Sequence, residues 1–275
     1  MSLKLMYITN KPEIAKIAEN SGVDWIFVDL EVNGKEERQA NLDTVKSKHS
    51  ISDIVKVKEV LSTSELLVRI NPIYDGTEKE IEEVITAGAE IIMLPYFKTT
   101  TEVESFIKFI NGRVKTMLLL ETPEAVEEID DILNVQGIDY IHIGLNDLHL
   151  GYELNFMFEL LADGTVEKLG TKIKNKDIPF GFGGIAKIGE GDLPAEKNIT
   201  EHYRLGSSMA ILSRSFCNVD KMDSLTEIEN TFGEGVRDIR DFEANISDHS
   251  DDYFLNNMKK TVEIINKISG KSYQL

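Results

Sequence analysis

Residues 116–133 read TMLLLETPEAVEEIDDIL. A leucine run ends abruptly on a carboxylate, Glu121, and Thr122-Pro123 follows at once. Beyond the proline, Val126, Ile129 and Leu133 recur at helical spacing. The stretch therefore reads as a strand, a charged junction and a helix. Its apolar residues are continuous rather than alternating. That pattern suits a parallel strand buried on both faces.

The same unit repeats outward in both directions. Comparable runs are KLMYIT (4–9), WIFVDLE (25–31), LLVRI (66–70), EIIMLPY (90–96), YIHIGLN (140–146), PFGFGGI (179–185) and SSMAILS (207–213). Between them lie helical patterns. Asn10-Lys11-Pro12-Glu13 predicts a capped helix start, and that helix stops near Gly22. Thr77-Glu78-Lys79-Glu80 predicts a capping box, with its helix ending at Gly88. Thr101 to Ile110 places Val103, Phe106, Ile107 and Ile110 on one face. Eight fairly even strand–helix units predict an α/β fold, a (β/α)8 TIM barrel, over an open doubly wound sheet. Extra helices are predicted near 220–231 and 252–269. The expectation is one barrel domain over 1–275, with 217–275 as a helical extension that covers the barrel or reaches a neighbouring subunit.

Composition narrows the function classes. Lys and Arg total 30 against 48 Asp and Glu, a net charge of −18. Nucleic acid is a poor partner for that surface, because phosphate binding is chiefly electrostatic. No apolar run approaches the roughly 18 residues of a membrane span. The opening MSLKLMYITNKPEIAK has no leader-like apolar core. The single cysteine, Cys217, allows no internal disulfide. A cytoplasmic protein is the resulting expectation.

A barrel carries its chemistry at the C-terminal ends of its strands. Read there, strand two gives Asp29 and Glu31, and strand three gives Arg69 and Asn71. Strand five gives Glu121, and strand six runs into Asn146 and Asp147. Strand seven leads into GFGGIAKIGEG, and strand eight offers Ser207, Ser208 and Arg214. A carboxylate at the end of an apolar strand needs a cation. Mg²⁺ or Mn²⁺ takes oxygen ligands, often from only one or two protein carboxylates. Glu121 and Asp147 on adjacent strands fit that arrangement; equally, each can cap the segment that follows. Arg69 can pair with Asp29 or Glu31, or hold a substrate carboxylate or enolate oxygen. Gly183 and Gly184 can let a ligand approach the backbone or simply make a tight loop, since their spacing matches no nucleotide fingerprint. His149, two residues after Asp147, is a polar loop residue or a neighbour of the metal.

Together DWIFVDLE, LLVRIN, AGAEIIMLP, LLLETPEAVEEIDDIL and GIDYIHIGLNDLHLG resemble the HpcH/HpaI aldolase and citrate lyase β-subunit family, in its order, over residues 23–151. The resemblance implies a Mg²⁺- or Mn²⁺-dependent barrel acting on pyruvate-like 2-oxo acids or related acyl compounds. Glu121 and Asp147 match the family's metal-binding pair. Arg69 matches its 2-oxo-acid-binding arginine, and Asp29 an aspartate near the metal. The chain departs where the aldolases read D-x-E-H, because Val32 stands in place of the histidine. Thr86 stands where that histidine's aspartate partner falls. Lys35 and Arg38 are candidates for recognising an anionic second substrate.

The expected activity is therefore a metal-dependent carbon–carbon lyase, or the reverse condensation, passing through an enolate. Arg69, Glu31 and His149 are the catalytic candidates. Arg69, Asp29, Gly183 and Gly184 are the substrate-binding candidates, and Glu121 and Asp147 hold the metal. The partners expected are a 2-oxo acid, an unidentified second substrate and further copies of the chain in a homo-oligomer. The alternatives are a citrate-lyase-like enzyme on an acyl-CoA and a non-catalytic barrel that binds a metal and a 2-oxo acid.

Overall fold

The structure, a computed structural model, describes residues 2–33 and 49–274. In chain order come β1 (Lys4–Ile8), α1 (Pro12–Asn20), β2 (Trp25–Asp29), α2 (Ile51–Val60), β3 (Glu65–Arg69), α3 (Thr77–Thr86) and β4 (Ile91–Leu94). There follow α4 (Thr100–Ile110), β5 (Lys115–Leu120), α5 (Pro123–Glu127), α6 (Ile129–Ile132), β6 (Tyr140–Ile143), α7 (Leu145–Gly151), α8 (Glu159–Ala162) and α9 (Thr165–Lys174). The chain ends with β7 (Phe180–Ile185), α10 (Ala195–Leu205), β8 (Met209–Leu212), α11 (Leu225–Ile246) and α12 (Asp251–Ser269). The strands pair in sequence order, all parallel, and β8 closes on β1. This is a (β/α)8 TIM barrel with extra C-terminal helices.

Strand parity divides the apolar residues into two cores. One row faces the lumen: Met6, Trp25, Phe27, Leu67, Met93, Met117, Leu119 and Met209 fill it. The other row, including Val28, Val68, Leu118, Leu120 and Ile143, packs beneath the helices. Parity also fixes which strand-end side chains enter the mouth. Asp29 continues the row of Trp25 and Phe27, Arg69 that of Leu67, and Glu121 that of Met117 and Leu119. The charged junctions are thus the last members of inward-facing rows, above a plug rich in methionine.

Several local expectations are corrected. α1 is capped by the Lys11 backbone, while Asn10 donates to Asp53 at 3.3 Å. The Thr77–Glu80 capping box does not form: Gly76 is the N-cap, and Glu80 reaches to Asn71 instead. The helix over 123–133 is split at Glu128 into α5 and α6. Strand six stops at Ile143, so Asn146 and Asp147 lie on α7. Gly183 and Gly184 lie within β7, at a register shift against β8, rather than on a loop. Ser207 and Ser208 precede β8 and therefore sit at the end of the barrel opposite the mouth.

α11 runs for 22 residues, well beyond the expected 220–231. It is tied to the start of β1: Leu3 N–H donates to Glu243 at 2.7 Å, and Arg240 donates to the Leu3 carbonyl at 2.8 Å. α12 packs on α10, with Asn257 donating to Glu201 at 2.8 Å. The tail beyond α12 returns to buried Glu159, which receives the Tyr273 hydroxyl and, at 2.9 Å, Lys271. The extension thus packs on its own barrel. No helix among the described residues is long and apolar enough to cross a membrane.

Candidate active site

The parallel register sets Asp29 directly beside Arg69 at the ends of β2 and β3. The guanidinium meets the carboxylate side-on: Nε donates to Oδ1 at 2.8 Å and Nη2 to Oδ2 at 2.7 Å. This fork geometry is the strong form of the pair. Glu31 Oε2 lies 3.4 Å from the same Nη2. The guanidinium also stands over the Phe27 ring, 5.5 Å from its centroid, at the top of the lumen plug. Burial alone would weaken the charge on Arg69. Asp29, Glu31 and Glu121 outweigh that effect and hold it protonated, well above its ordinary range. Among the described residues the Nη1 edge carries no hydrogen bond, and it is the edge available to an anion.

Asn71, the polar residue after β3, organises the exit of β2. Its Oδ1 accepts from the Val32 and Asn33 amides at 2.9 and 3.0 Å. Its Nδ2 donates to buried Glu80 at 2.8 Å. Val32 itself is exposed, and its aliphatic side chain moves no proton. His49 takes the Asp29 amide on Nδ1 at 2.9 Å, which puts its own proton on Nε2. Lys35 and Arg38 lie outside the described residues.

Glu121 is buried at the β5 exit, and its Oε1 accepts the Tyr96 amide at 3.0 Å. Asp147 stands in the first turn of α7, on the neighbouring exit, with Asn146 donating to its Oδ1 at 3.1 Å. No group of three or more His, Cys, Asp or Glu forms a metal cage among the described residues. The donor set still fits a hard divalent ion, which often takes one or two carboxylates and leaves other positions to water and substrate. Glu121 is seated closely against β6: a Cβ on Gly144 would lie 2.7 Å from Glu121 Oε2, so the carboxylate occupies room that a side chain would fill.

Other candidates are placed apart. His149 bends back along α7, and its Nδ1 donates to the Leu145 carbonyl at 3.2 Å. Two residues on a helix differ by about 200° in direction, so His149 and Asp147 leave α7 on different faces. The Gly183 carbonyl is engaged by His142 and the Gly184 carbonyl by Asn198. Gly183 has φ +51°, and a Cβ there would strike Leu145 at 2.8 Å. Gly183 thus has a packing reason for its identity. Sequence reading missed His49, Tyr96, Gly144 and the Asn71–Glu80 pair. Of these only Gly144, inside GLNDL, carried a visible signal.

With this geometry in place, comparison with known proteins gives the class. The chain belongs to the HpcH/HpaI aldolase/citrate lyase family, whose sequence model matches residues 4–155. The matched part contains Asp29, Arg69, Glu121 and Asp147. A 2-keto-3-deoxy-L-rhamnonate aldolase of Shigella dysenteriae is 24% identical over 174 residues, covering 52% of this chain and 60% of the relative. The chain thus spans under two thirds of the curated relatives it matches. An HpcH/HpaI aldolase/citrate lyase family protein from Burkholderia cenocepacia J2315 superposes with a TM-score of 0.64 at 13% identity, over 82% of this chain and 95% of that one. The citrate synthase SbnG superposes at 0.59 with 15% identity, over 87% and 94%. At such identities the two structures support the fold alone.

Proposed function

We propose that this protein is a carbon–carbon lyase, or the reverse condensing enzyme, acting on a pyruvate-like 2-oxo acid through an enolate. The observation that carries the reading is Arg69. It is a guanidinium held side-on by Asp29, steadied by Glu31 and kept charged at the mouth of an apolar barrel. In that position its Nη1 edge meets the carboxylate of the 2-oxo acid, or the negative charge that develops on the keto oxygen as the carbon–carbon bond breaks. Asp29 orients the fork. The plug of Phe27, Leu119 and the lumen methionines closes the floor and keeps water from entering below.

Glu121 and Asp147 would hold Mg²⁺ or Mn²⁺. Once bound, the ion supplies Lewis-acid polarisation of the keto group. Of the proton-transfer candidates, Glu31 lies in the mouth, within reach of the guanidinium. His149 is on a different face of α7 from Asp147. We assign the proton to Glu31, as base toward the substrate hydroxyl in cleavage and acid in condensation. The curated relatives act on a 2-keto-3-deoxy sugar acid, so short 4-hydroxy-2-oxo acids are the substrate class to try first.

The same reading takes 1–275 as one cytoplasmic barrel domain that forms a homo-oligomer, with 217–275 as its extension. Light scattering showing a monomer at micromolar concentration would count against the assembly. The test of the chemistry is deuterium exchange at the pyruvate methyl group in D₂O, followed by NMR, with Mn²⁺ or a chelator. Metal-dependent exchange that vanishes in Glu121→Ala supports the reading. The exposed Val32 motivates a second reading, a regulatory barrel that binds the 2-oxo acid without turnover. Binding without exchange would favour it, and no binding of pyruvate would point to an acyl-CoA.

A further inference from the structure

The tail beyond α12 is tied down residue by residue. Gly270, at φ +71°, ends the helix and turns the chain back. Asn266, one turn earlier, clamps the backbone of Tyr273. Its Oδ1 accepts the Tyr273 amide at 2.8 Å, and its Nδ2 donates to the Tyr273 carbonyl at 3.1 Å. Tyr273 and Lys271 then both donate to Oε2 of Glu159, which is fully buried at the start of α8. Among the described residues Lys271 is the only cation paired with that carboxylate. The other oxygen, Oε1, accepts the amides of Asn155 and Phe156 at 2.7 and 2.8 Å. Burial pushes the carboxyl up, but Tyr273, Lys271 and the two amides outweigh it and bring it down to about 2. Glu159 is thus a charged bridge, with one oxygen on the tail and one on the turn before α8.

That turn directly follows α7, the helix that carries Asp147. α7 closes with the Leu154 amide on the His149 carbonyl at 2.9 Å and the Glu153 amide on the Leu150 carbonyl at 3.0 Å. This pair of hydrogen bonds sets Glu153 at φ +56°, in the left-handed region that helix ends usually give to glycine. Such a conformation persists in a side-chain-bearing residue where the surroundings over-determine it. Here Glu159 supplies the restraint, because it gathers the next two amides but one. We propose that the tail is a latch: Lys271 and Tyr273 are positioning residues that, through Glu159, hold the turn after α7 and with it the helix presenting Asp147 to the mouth. The latch joins the helical extension to the site. Its effect on a metal rests on reading Asp147 as a ligand; its effect on the turn does not.

The test is amide hydrogen–deuterium exchange of the full chain, read by mass spectrometry, in the wild type and in Lys271→Met/Tyr273→Phe. The paired variant should speed exchange at least about tenfold in peptides covering 149–158 and leave β1 to β4 unchanged. Tyr273→Phe alone should raise it about threefold in the same segment. Lys271→Arg, which keeps the charge, should stay within about twofold of the wild type. In the paired variant the Mn²⁺ concentration that half-saturates pyruvate methyl exchange should rise about tenfold, while the rate at saturating Mn²⁺ stays within about threefold. Wild-type protection of 149–158 in the paired variant overturns the latch. So does faster exchange spread evenly over the barrel, which marks a general loss of stability. A loosened turn with unchanged Mn²⁺ dependence overturns the positioning of Asp147. Should the paired variant fail to fold, Tyr273→Phe decides by the same comparison. A wild type with no metal-dependent pyruvate exchange refutes the reading of the site, and protection of 149–158 still decides the latch.

Discussion

Replacing Arg69 with methionine keeps most of the apolar stem and removes the charge. Asp29 and Glu31 would remain, each with a side chain only 2% exposed. Breaking a buried pair by removing one partner typically costs about 3–5 kcal/mol, because the remaining charge is left uncompensated. Here two carboxylates share the lost cation, Asp29 side-on and Glu31 at 3.4 Å. Urea unfolding of wild type and Arg69→Met at pH 8 measures the loss directly. The expected value is about 3–5 kcal/mol. Asp29→Asn added to Arg69→Met should recover part of it. A loss below about 1 kcal/mol would refute the claim that Arg69 neutralises buried acids.

Glu19, buried at the end of α1, accepts the amides of Ser62, Thr63 and Ser64 at 2.7 to 2.9 Å and pairs with Lys16. Burial pushes its carboxyl up, but these donors outweigh it and bring it down to about 2. The stability it contributes is present above the unfolded value near 4.5 and lost as pH falls through about 2. Glu19→Gln should therefore lose about 2–3 kcal/mol at pH 7 and flatten the acid limb of the stability profile, as read by urea titrations. His149→Ala should keep pyruvate exchange within about threefold; a loss of about a hundredfold would place His149 in proton transfer. Gly181→Ala would drive a Cβ to 2.3 Å from the Met209 carbonyl on β8, where backbone cannot easily retreat. A destabilisation of about 3 kcal/mol is expected in chemical denaturation, and a neutral result would contradict the packing of β7 on β8.

The barrel was legible because its strands are apolar runs of the kind only a doubly covered parallel sheet requires. The pairing of Asp29 with Arg69 was less so. Both residues stood out as charges at strand ends, but their adjacency depends on the register between β2 and β3. Strand parity, counted back from Glu121 through Leu119 and Met117, could have shown that this carboxylate faces inward. The errors came from boundaries. Ser207 and Ser208 were assigned to the mouth because the apolar run begins with them, whereas β8 begins only at Met209. Asp147 sits on a helix because the chain turns at Gly144. His49 reaches Asp29 from a distant point in the chain, and Asn71 binds Glu80 only once α3 packs. Tyr96 could not be found by pattern, since Leu-Pro-Tyr reads as an ordinary strand end and its left-handed backbone is a tertiary outcome.

The central claim is cleavage of a carbon–carbon bond beside a 2-oxo acid. Its most direct test is to incubate the protein and Mn²⁺ with 4-hydroxy-2-oxo acids made from pyruvate and short hydroxyaldehydes, and to follow the products by ¹H NMR. The account predicts pyruvate and aldehyde in equal amounts, with release stopped by a chelator and by Glu121→Ala. Pyruvate that binds at Arg69 while every such substrate stays intact would contradict it.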